Sequence, residues 1–209
     1  GGTWRSLAKM HQVLRGYPLH MVQHYMVKAS DLAKLCDEIV EAVSAGKAMP
    51  GGDHVSSSRK DLVPYGAAVL SEVLRVGKFD TVLFSAFGVR EGFLYELLTP
   101  EEQNVDPLMQ GAEEISILRS RSPAHALDLI DFTAQFLSAI QVRETPEELR
   151  LRQVACYLSD VGWRGHPDYR GEQSVDMVAY GSLSGLDHPG RAFLAEVLAV
   201  RYMGLKHKS

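Results

Sequence analysis

The hydrophobic positions of the chain recur with a helical period over most of its length. Residues 30–45 predict one helix, begun by Ser30 as N-cap, because their apolar positions lie three or four residues apart. The apolar face consists of Leu32, Leu35, Cys36, Ile39 and Val43. The same period predicts helices over residues 4–15, with Thr3 as N-cap, and over residues 64–76.

Two segments favour an extended conformation. Residues 19–27 are rich in β-branched, aromatic and Met side chains, and residues 81–85 form an apolar run short enough to lie inside a sheet. A glycine-containing turn over residues 86–92 follows the second segment and leads into a helix that ends near Leu98. A glycine loop between a strand and a helix is where α/β proteins tend to bind phosphates. Residues 49–60, which include consecutive serines, predict a surface loop.

After Pro100 the strand signals stop and the chain predicts only helices. This change of composition indicates a boundary near residues 99–106, and therefore two domains, residues 1–104 and residues 105–209. A mixed first domain followed by an all-α domain corresponds to the α+β class.

One helix of the second domain is expected to divide apolar from polar positions. Its apolar face is Leu127, Ile130, Ala134 and Leu137, and its polar face is Asp128, Asp131 and Gln135. Thr145, with Glu148 three residues later, predicts a capping box that opens a helix to about Leu158. Further helices are expected over residues 173–180 and after Asp187.

Composition and charge exclude several classes of protein. A hydrophobic fraction of 45% predicts a soluble globular protein with buried cores. Because 22 Lys+Arg face 26 Asp+Glu, no basic surplus is present to hold a nucleic acid. No apolar run reaches the roughly 18 residues of a membrane span, and no signal peptide is recognised. Cys36 and Cys156 are expected to be core residues without a disulfide, as in a cytoplasmic protein.

Two short segments are candidates for phosphate binding. Gly1, Gly2 and Thr3 form a turn that leads into a helix, where backbone N–H groups and the helix dipole favour an anion. The alternative is a tight turn with Thr3 as a plain N-cap. In the second segment Arg90 follows Gly88 and is placed to clamp a phosphoryl oxygen. Its alternative is a surface ion pair between Arg90 and Glu91.

The order and spacing of four segments resemble a known family. They are Gly1-Gly2-Thr3-Trp4-Arg5, Tyr17-Pro18-Leu19-His20, Val63-Pro64-Tyr65-Gly66-Ala67-Ala68 and Phe84-Ser85-Ala86-Phe87-Gly88-Val89-Arg90-Glu91-Gly92. They resemble the second actin-like domain of the exopolyphosphatase/guanosine pentaphosphate phosphatase family. The remainder, with residues 158–163 and 166–172, is similar to the helical domain that follows in longer members. The resemblance implies a partial actin-like (ribonuclease H-like) α/β domain and an all-α HD-like domain.

The resemblance implies hydrolysis of terminal phosphoryl groups of polyphosphate or guanosine pentaphosphate, with water as nucleophile and Mg²⁺ as cofactor. Family members bind phosphates between two actin-like domains, and a Glu of the first domain is the base. Neither that Glu nor its phosphate loop is located here, so we expect a fragment, cut at Gly1, that is inactive alone. The resemblance implies that phosphate or nucleotide is bound by the residues at the matching motif positions, which are Gly1, Gly2, Thr3, Gly88 and Arg90. The full-length protein is expected to be a homodimer, and no membrane or nucleic acid partner is expected.

The helical domain also resembles HD-type metal phosphohydrolases, in which a His-Asp pair holds metal ions. The corresponding pair here is Ser159-Asp160, in which a serine stands where the family has a histidine. At most a vestigial metal site is therefore expected, formed by His125, Asp160 and His166, with His188 as a further candidate. The alternative is that these histidines satisfy local hydrogen bonds and that Asp160 acts as a cap or pairs with Arg164.

The polar loop over residues 166–170 has two interpretations. It contacts a polyphosphate tail through Arg164 and Arg170, or it is a self-bonded loop stapled by Trp163 and Tyr169. Three hypotheses therefore stay open for the chain. They are part of a hydrolase, a non-catalytic polyphosphate- or alarmone-binding and dimerisation module, and a helical domain that is itself a metal phosphohydrolase.

Overall fold

A computed structural model describes residues 2–205 of the chain. The internal contacts divide the chain into two compact units, with the division between Leu98 and Thr99. The sequence placed it between residues 104 and 105. The described residues are mostly helical and include a two-stranded sheet, which agrees with the α+β class.

The first unit surrounds its sheet with helices. Its elements are α1 (Gly2–Leu14), β1 (Tyr25–Lys28), α2 (Ala29–Ser44), a 3-10 turn (Gly52–His54), α3 (Ser57–Lys60), α4 (Val63–Gly77), β2 (Thr81–Phe84) and α5 (Val89–Glu96). The helices predicted before Gly16, before Ala45 and after Pro64 are confirmed. The surface loop predicted over residues 49–60 instead contains the 3-10 turn and α3.

The core of the first unit forms where α1 and α2 pack against α4. Its most deeply buried side chains include Leu7, Met10, Leu32, Ile39 and Val63. The apolar face predicted for α2 is buried at Leu32, Leu35, Cys36 and Ile39, but Val43 in the last turn is exposed. Val43 instead lines an open groove between α2 and α4.

The two strands pair antiparallel, with Tyr25 opposite Phe84 and Val27 opposite Val82. One face of this pair packs against the helices, and the other face exposes Met26 and Leu83. The prediction that residues 81–85 lie inside a sheet is therefore wrong for the described residues, because β2 has one neighbouring strand. Only the end of segment 19–27 is a strand, which starts after His24 with its positive φ of 60°.

Two helices begin about two residues before their predicted starts. Thr3 lies inside the first turn of α1 and is not its N-cap. Ser30 lies inside α2, whose N-cap is Lys28 with extended backbone and no side-chain cap. Local sequence overstates such caps because any Ser or Thr near a helix start matches the pattern.

The second unit is helical throughout its described residues. Its elements are α6 (Pro100–Gln103), α7 (Pro107–Arg119), α8 (Pro123–Ala139), α9 (Pro146–Leu158), α10 (Arg170–Tyr180) and α11 (His188–Met203). The sequence missed α6 and α7, although Asp106 caps α7 by accepting hydrogen bonds from the N–H groups of Leu108 and Met109. The capping box of α9 is confirmed, with Glu148 N–H donating to Thr145 Oγ1 at 3.3 Å.

The core of this unit lies between α7, α9 and α11 and includes Leu108, Leu158, Leu194 and Leu198. The face predicted for α8 is wrong at two positions, since Leu127 and Ala134 are exposed and Ala126 is buried. No helix within residues 2–205 is long and apolar enough to cross a membrane.

Candidate phosphate site of the first unit

The start of α1 is fixed against α4 by a close approach at Gly66. A Cβ on Gly66 would overlap Thr3 Cγ2, and the indole Nε1 of Trp4 donates a hydrogen bond to the Gly66 carbonyl at 3.2 Å. Gly66 lies within α4, so its lack of a side chain permits the approach. Gly2 and Thr3 are consequently held on the surface of α4, whereas Gly1 lies outside the described residues.

An arginine lies against this helix start. A Cβ built on Gly2 would lie 3.3 Å from Arg59 Cζ, so the exposed guanidinium of Arg59 borders the backbone of Gly2. The amino end of a helix already carries positive partial charge, and a guanidinium beside it is unfavourable without an anion. A bound phosphate would be attracted by both groups and would relieve their mutual repulsion.

The loop between β2 and α5 reaches α1 through one hydrogen bond. Arg5 Nη1 in α1 donates to the Ala86 carbonyl at 3.1 Å, and the Ala86 N–H donates to Gln23 Oε1 at 2.6 Å. The Gly88 N–H donates to Glu91 Oε2 at 2.6 Å, which closes the first turn of α5. The two segments singled out in the sequence, around Thr3 and around Gly88, are thus connected through Arg5.

The Arg90 side chain is 93% exposed and forms a 3.9 Å ion pair with Glu91. The surface pair that the sequence offered as an alternative is therefore present, and the phosphate-binding role of Arg90 stays a prediction. The pKa of Glu91 is lowered, first by the hydrogen bond from the Gly88 backbone and also by the charges of Arg90 and Arg5. Arg5 and Arg90 therefore act on the same carboxylate.

In the second unit, the Asp160 carboxylate is engaged by an arginine. Arg121 donates from Nε and Nη2 at 3.1 and 3.0 Å and from its backbone N–H at 3.1 Å. Burial raises the pKa of Asp160, but the hydrogen bonds from Arg121 outweigh burial and the pKa is lowered overall. The suggested pairing of Asp160 with Arg164 is wrong, because Arg164 stacks on the Trp163 ring at 5.4 Å.

Each of the two units matches a protein-family model. Residues 1–101 match the model described as the Ppx/GppA phosphatase family, and residues 108–209 match the one described as exopolyphosphatase, C-terminal. The chain belongs to the Ppx/GppA phosphatase family. The comparison with curated proteins gave no significant match.

The Ppx/GppA chain does not gather its candidate metal ligands. His125 is exposed in the first turn of α8, and His166 accepts a hydrogen bond from the Asp168 N–H at 3.3 Å. His188 is buried at the start of α11. Across residues 2–205 no group of three or more His, Cys, Asp or Glu side chains is arranged to hold a metal ion.

The loop of the second unit makes most of its hydrogen bonds internally. Tyr169 N–H donates to the His166 carbonyl at 3.0 Å, and Arg170 Nη2 donates to the Gly165 carbonyl at 3.4 Å. Trp163 instead donates from Nε1 to the Arg119 carbonyl at 2.6 Å, which ties the loop to α7. These contacts favour the self-bonded alternative over an open loop.

Within residues 2–98 no group of three or more His, Cys, Asp or Glu side chains is arranged to hold a metal ion, and the expected Mg²⁺ cofactor stays a prediction. Mg²⁺ prefers several oxygen ligands in octahedral geometry. Near the phosphate candidates, the carboxylate of Glu91 is already bonded to the Gly88 N–H and faces Arg5 and Arg90.

Sequence reasoning missed Arg5 and Arg59 as members of the site. Arg5 lies within the motif that carried the resemblance, so its position one turn after Gly2 was the available signal. No sequence signal pointed to Arg59, because it lies in a segment predicted as a loop and comes close to Gly2 only in the folded chain.

Proposed function

We propose that this chain supplies the phosphate-binding wall of a Ppx/GppA hydrolase that releases terminal phosphate from polyphosphate or guanosine pentaphosphate. The observation that carries the proposal is the Arg5–Ala86 hydrogen bond, which connects the start of α1 to the loop before α5. Gly2, Thr3, Gly88 and Arg90 would bind the phosphates in this arrangement, together with Arg5 and Arg59.

Electrostatics supports a local site of this kind. The chain has a net charge of −4, so it must concentrate positive charge where it binds a polyanion. The start of α1 does so with its N–H groups, its dipole and the adjacent Arg59 guanidinium. Arginine suits the role because its planar fork matches two phosphoryl oxygens at once.

The general base would come from a preceding actin-like domain, as the resemblance implies. Glu91 accepts a hydrogen bond from the Gly88 N–H of the candidate site, but its hydrogen bonds and cationic neighbours hold its pKa below the usual range. A base needs a pKa nearer the working pH. Glu91 would therefore orient the Gly88 loop, and Mg²⁺ would be held by the substrate phosphates and the same preceding domain.

This proposal is tested by binding and turnover measured on the same chain. Calorimetric titration with inorganic tripolyphosphate should show binding that weakens by about tenfold in Arg90→Ala, as expected for the loss of one charge-assisted contact. Phosphate release from tripolyphosphate or guanosine pentaphosphate with Mg²⁺ should stay at background. Turnover by the chain alone would contradict the assignment of the base, and unchanged affinity in Arg90→Ala would contradict the site.

A second candidate is a non-catalytic binding and dimerisation module. It is favoured by an exposed aromatic pair on α8, where Phe132 is 64% exposed and stacks on Phe136 with ring centroids 6.4 Å apart. Exposed aromatic pairs of this kind are common in interfaces. Sedimentation of wild type and Phe132→Asp tests it, because a dimer formed through α8 should dissociate in the variant and a monomeric wild type would exclude it.

A further inference from the structure

One carboxylate of the first unit occupies the position that an external anion would take at the start of α5. Glu91 Oε2 accepts a hydrogen bond from the Gly88 N–H at 2.6 Å, and the Glu91 carboxylate also accepts one from its own backbone N–H. Backbone N–H groups at the start of a helix are the donors that commonly bind phosphate. The chain therefore supplies an anion of its own to these donors.

Two arginines face the same carboxylate. Arg90 Nη2 lies 3.9 Å from Glu91 Oε1, and Arg5 reaches the loop through its 3.1 Å hydrogen bond to the Ala86 carbonyl. The pKa of Glu91 is lowered first by the Gly88 N–H, next by its own N–H, and further by the charges of Arg90 and Arg5. The two N–H groups and the two guanidinium groups together form the α5 anion site. Phosphoryl oxygens bind to the same kinds of donor.

The capping box of α9 shows what is particular about α5. At α9, Thr145 Oγ1 accepts from the Glu148 N–H at 3.3 Å, and Glu148 Oε2 accepts from the Thr145 N–H at 2.7 Å. The pKa of Glu148 is lowered first by the Thr145 N–H and next by the Thr145 side chain, and no arginine within residues 2–205 contributes. At α5 the N-cap is Gly88, which has no hydroxyl and provides no side-chain cap. The two helices therefore differ where a phosphate oxygen would bind.

The Glu91 carboxylate is free to leave the α5 anion site. The Glu91 side chain is 42% exposed, and the Arg90 side chain is 93% exposed. Among the described residues, and apart from its chain neighbours, a Cβ built on Gly88 would come within 4 Å of one atom, Glu91 Oε2 at 3.5 Å. Rotation of the Glu91 side chain would therefore open Gly88 to a ligand. A phosphate carries more charge and more acceptor oxygens than a carboxylate, so it would compete well for these donors.

We propose that Glu91 is an internal competitor of the phosphate ligand, which occupies the α5 anion site in the free chain and is displaced when a phosphoryl group binds. The inference rests on the proposed phosphate-binding function of this loop. In the free chain Glu91 orders the Gly88 loop and offsets the charges of Arg5 and Arg90. Because a ligand must replace the hydrogen bonds of Glu91, this residue determines the affinity of the site.

Replacement by glutamine separates the charge of Glu91 from its capping role. Glutamine still accepts the hydrogen bond of the Gly88 N–H, since Glu and Gln both serve at this position of a capping box. The 209-residue chain is titrated calorimetrically with inorganic tripolyphosphate. Glu91→Gln should bind it about tenfold more tightly than wild type, because a neutral amide competes less well than a carboxylate. Glu148→Gln, in the capping box of α9, is the matched control and should leave the affinity unchanged.

A second measurement follows the carboxylate itself. The side-chain carboxyl ¹³C resonance of Glu91 reports its pKa with and without saturating tripolyphosphate. Saturation should raise this pKa, because the displaced carboxylate loses its N–H donors and lies beside a negative charge. A Glu91 that stays in place as a plain helix cap would keep its pKa in the saturated chain, and this result would overturn the inference.

The outcomes separate this inference from the proposed function. If wild type binds tripolyphosphate and Glu91→Gln binds it with equal or lower affinity, the phosphate site stands and the competitor role of Glu91 is overturned. If Glu91→Gln binds and wild type does not, the competitor role is supported and the binding expected of wild type fails. If neither binds, the phosphate site and the competitor role are both overturned.

Discussion

Asp160 and Arg121 form a bidentate ion pair in the second unit, with Oδ1 and Oδ2 accepting from Nη2 and Nε at 3.0 and 3.1 Å. The Asp160 side chain is largely buried, whereas that of Arg121 reaches solvent. The positive charge beside this carboxylate is supplied by the Arg121 guanidinium. The pair also holds the α7–α8 connection against the end of α9.

Removing the Asp160 charge should destabilise the second unit. For Asp160→Asn we expect a loss of about 2 kcal/mol in the free energy of unfolding, because the guanidinium and N–H of Arg121 lose a charged acceptor. Chemical denaturation of wild type and Asp160→Asn measures this difference in the free energy of unfolding. Mass-spectrometric metal analysis is the control, and stoichiometric Mn²⁺ or Zn²⁺ in wild type that disappears in the variant would show a metal site after all.

The stabilising effect of Asp160 should depend on pH. Its folded-state pKa lies below the unfolded value, so its contribution is present above about pH 4 and is lost as pH falls through the folded pKa. Unfolding of wild type and Asp160→Asn compared across this range should converge in acid. A difference that persists unchanged at the lowest pH would contradict the ion pair.

The first unit carries a histidine whose effect on stability has the same sign, because its pKa is also lowered in the folded state. His11 Nδ1 lies 2.8 Å from Tyr25 Oη, and its Nε2 is buried without a hydrogen-bond partner within residues 2–205. Burial, and next the charge of Arg15, lower the pKa of His11, with Asp31 opposing. The unfolded chain binds a proton that the folded one does not, so stability should fall as pH drops below about 6.5.

Replacing this histidine tests the pH response. In His11→Gln the decrease in the free energy of unfolding between about pH 7.5 and pH 5.5 should be smaller than in wild type. His125→Gln, at an exposed histidine, is the matched control and should keep the wild-type response. An unchanged response in His11→Gln would show that another group titrates.

The close approach of α1 and α4 can be tested at Gly66. Gly→Ala inside a helix ordinarily stabilises by about 0.5–1 kcal/mol, but a Cβ here would overlap Thr3 Cγ2, and we expect a net loss of about 1–2 kcal/mol. Adding Thr3→Ser to Gly66→Ala should recover part of the lost stability, because serine lacks the Cγ2 methyl group. Gly111→Ala, where the new Cβ meets nothing within 4 Å, should stabilise α7. Additivity of the Gly66 and Thr3 changes would argue against the contact.

The sequence predicted helices where several independent signals agreed. The helix after Thr145 combined an N-cap, a first-turn Pro and a Glu at the third position, and its capping box is present. The sequence failed to predict α7, although Asp106-Pro107 is a similar helix start, because the apolar pattern that follows is only weakly amphipathic. The exposed face of α8 was missed for a related reason, since Leu127 is apolar but packs against nothing in the core.

The candidate site was predictable only where its residues are neighbours in sequence. Gly2, Thr3, Gly88 and Arg90 belong to short motifs, so they were recognised before the fold was known. The position of Arg59 beside Gly2 depends on how α3 packs near α1, which no local pattern encodes. Tertiary contacts of this kind become visible only in the structure.

The central claim is that the start of α1 and the loop before α5 form one phosphate site. An NMR titration of the isotope-labelled chain with inorganic tripolyphosphate tests it most directly. The amide resonances of Gly2, Thr3, Gly88 and Val89 should shift together with one common midpoint, and Arg59→Ala should raise that midpoint about tenfold. Arg143→Ala, at an exposed arginine of the second unit, should leave it unchanged. Shifts confined to only one of the two segments, or to the second unit, would contradict the claim.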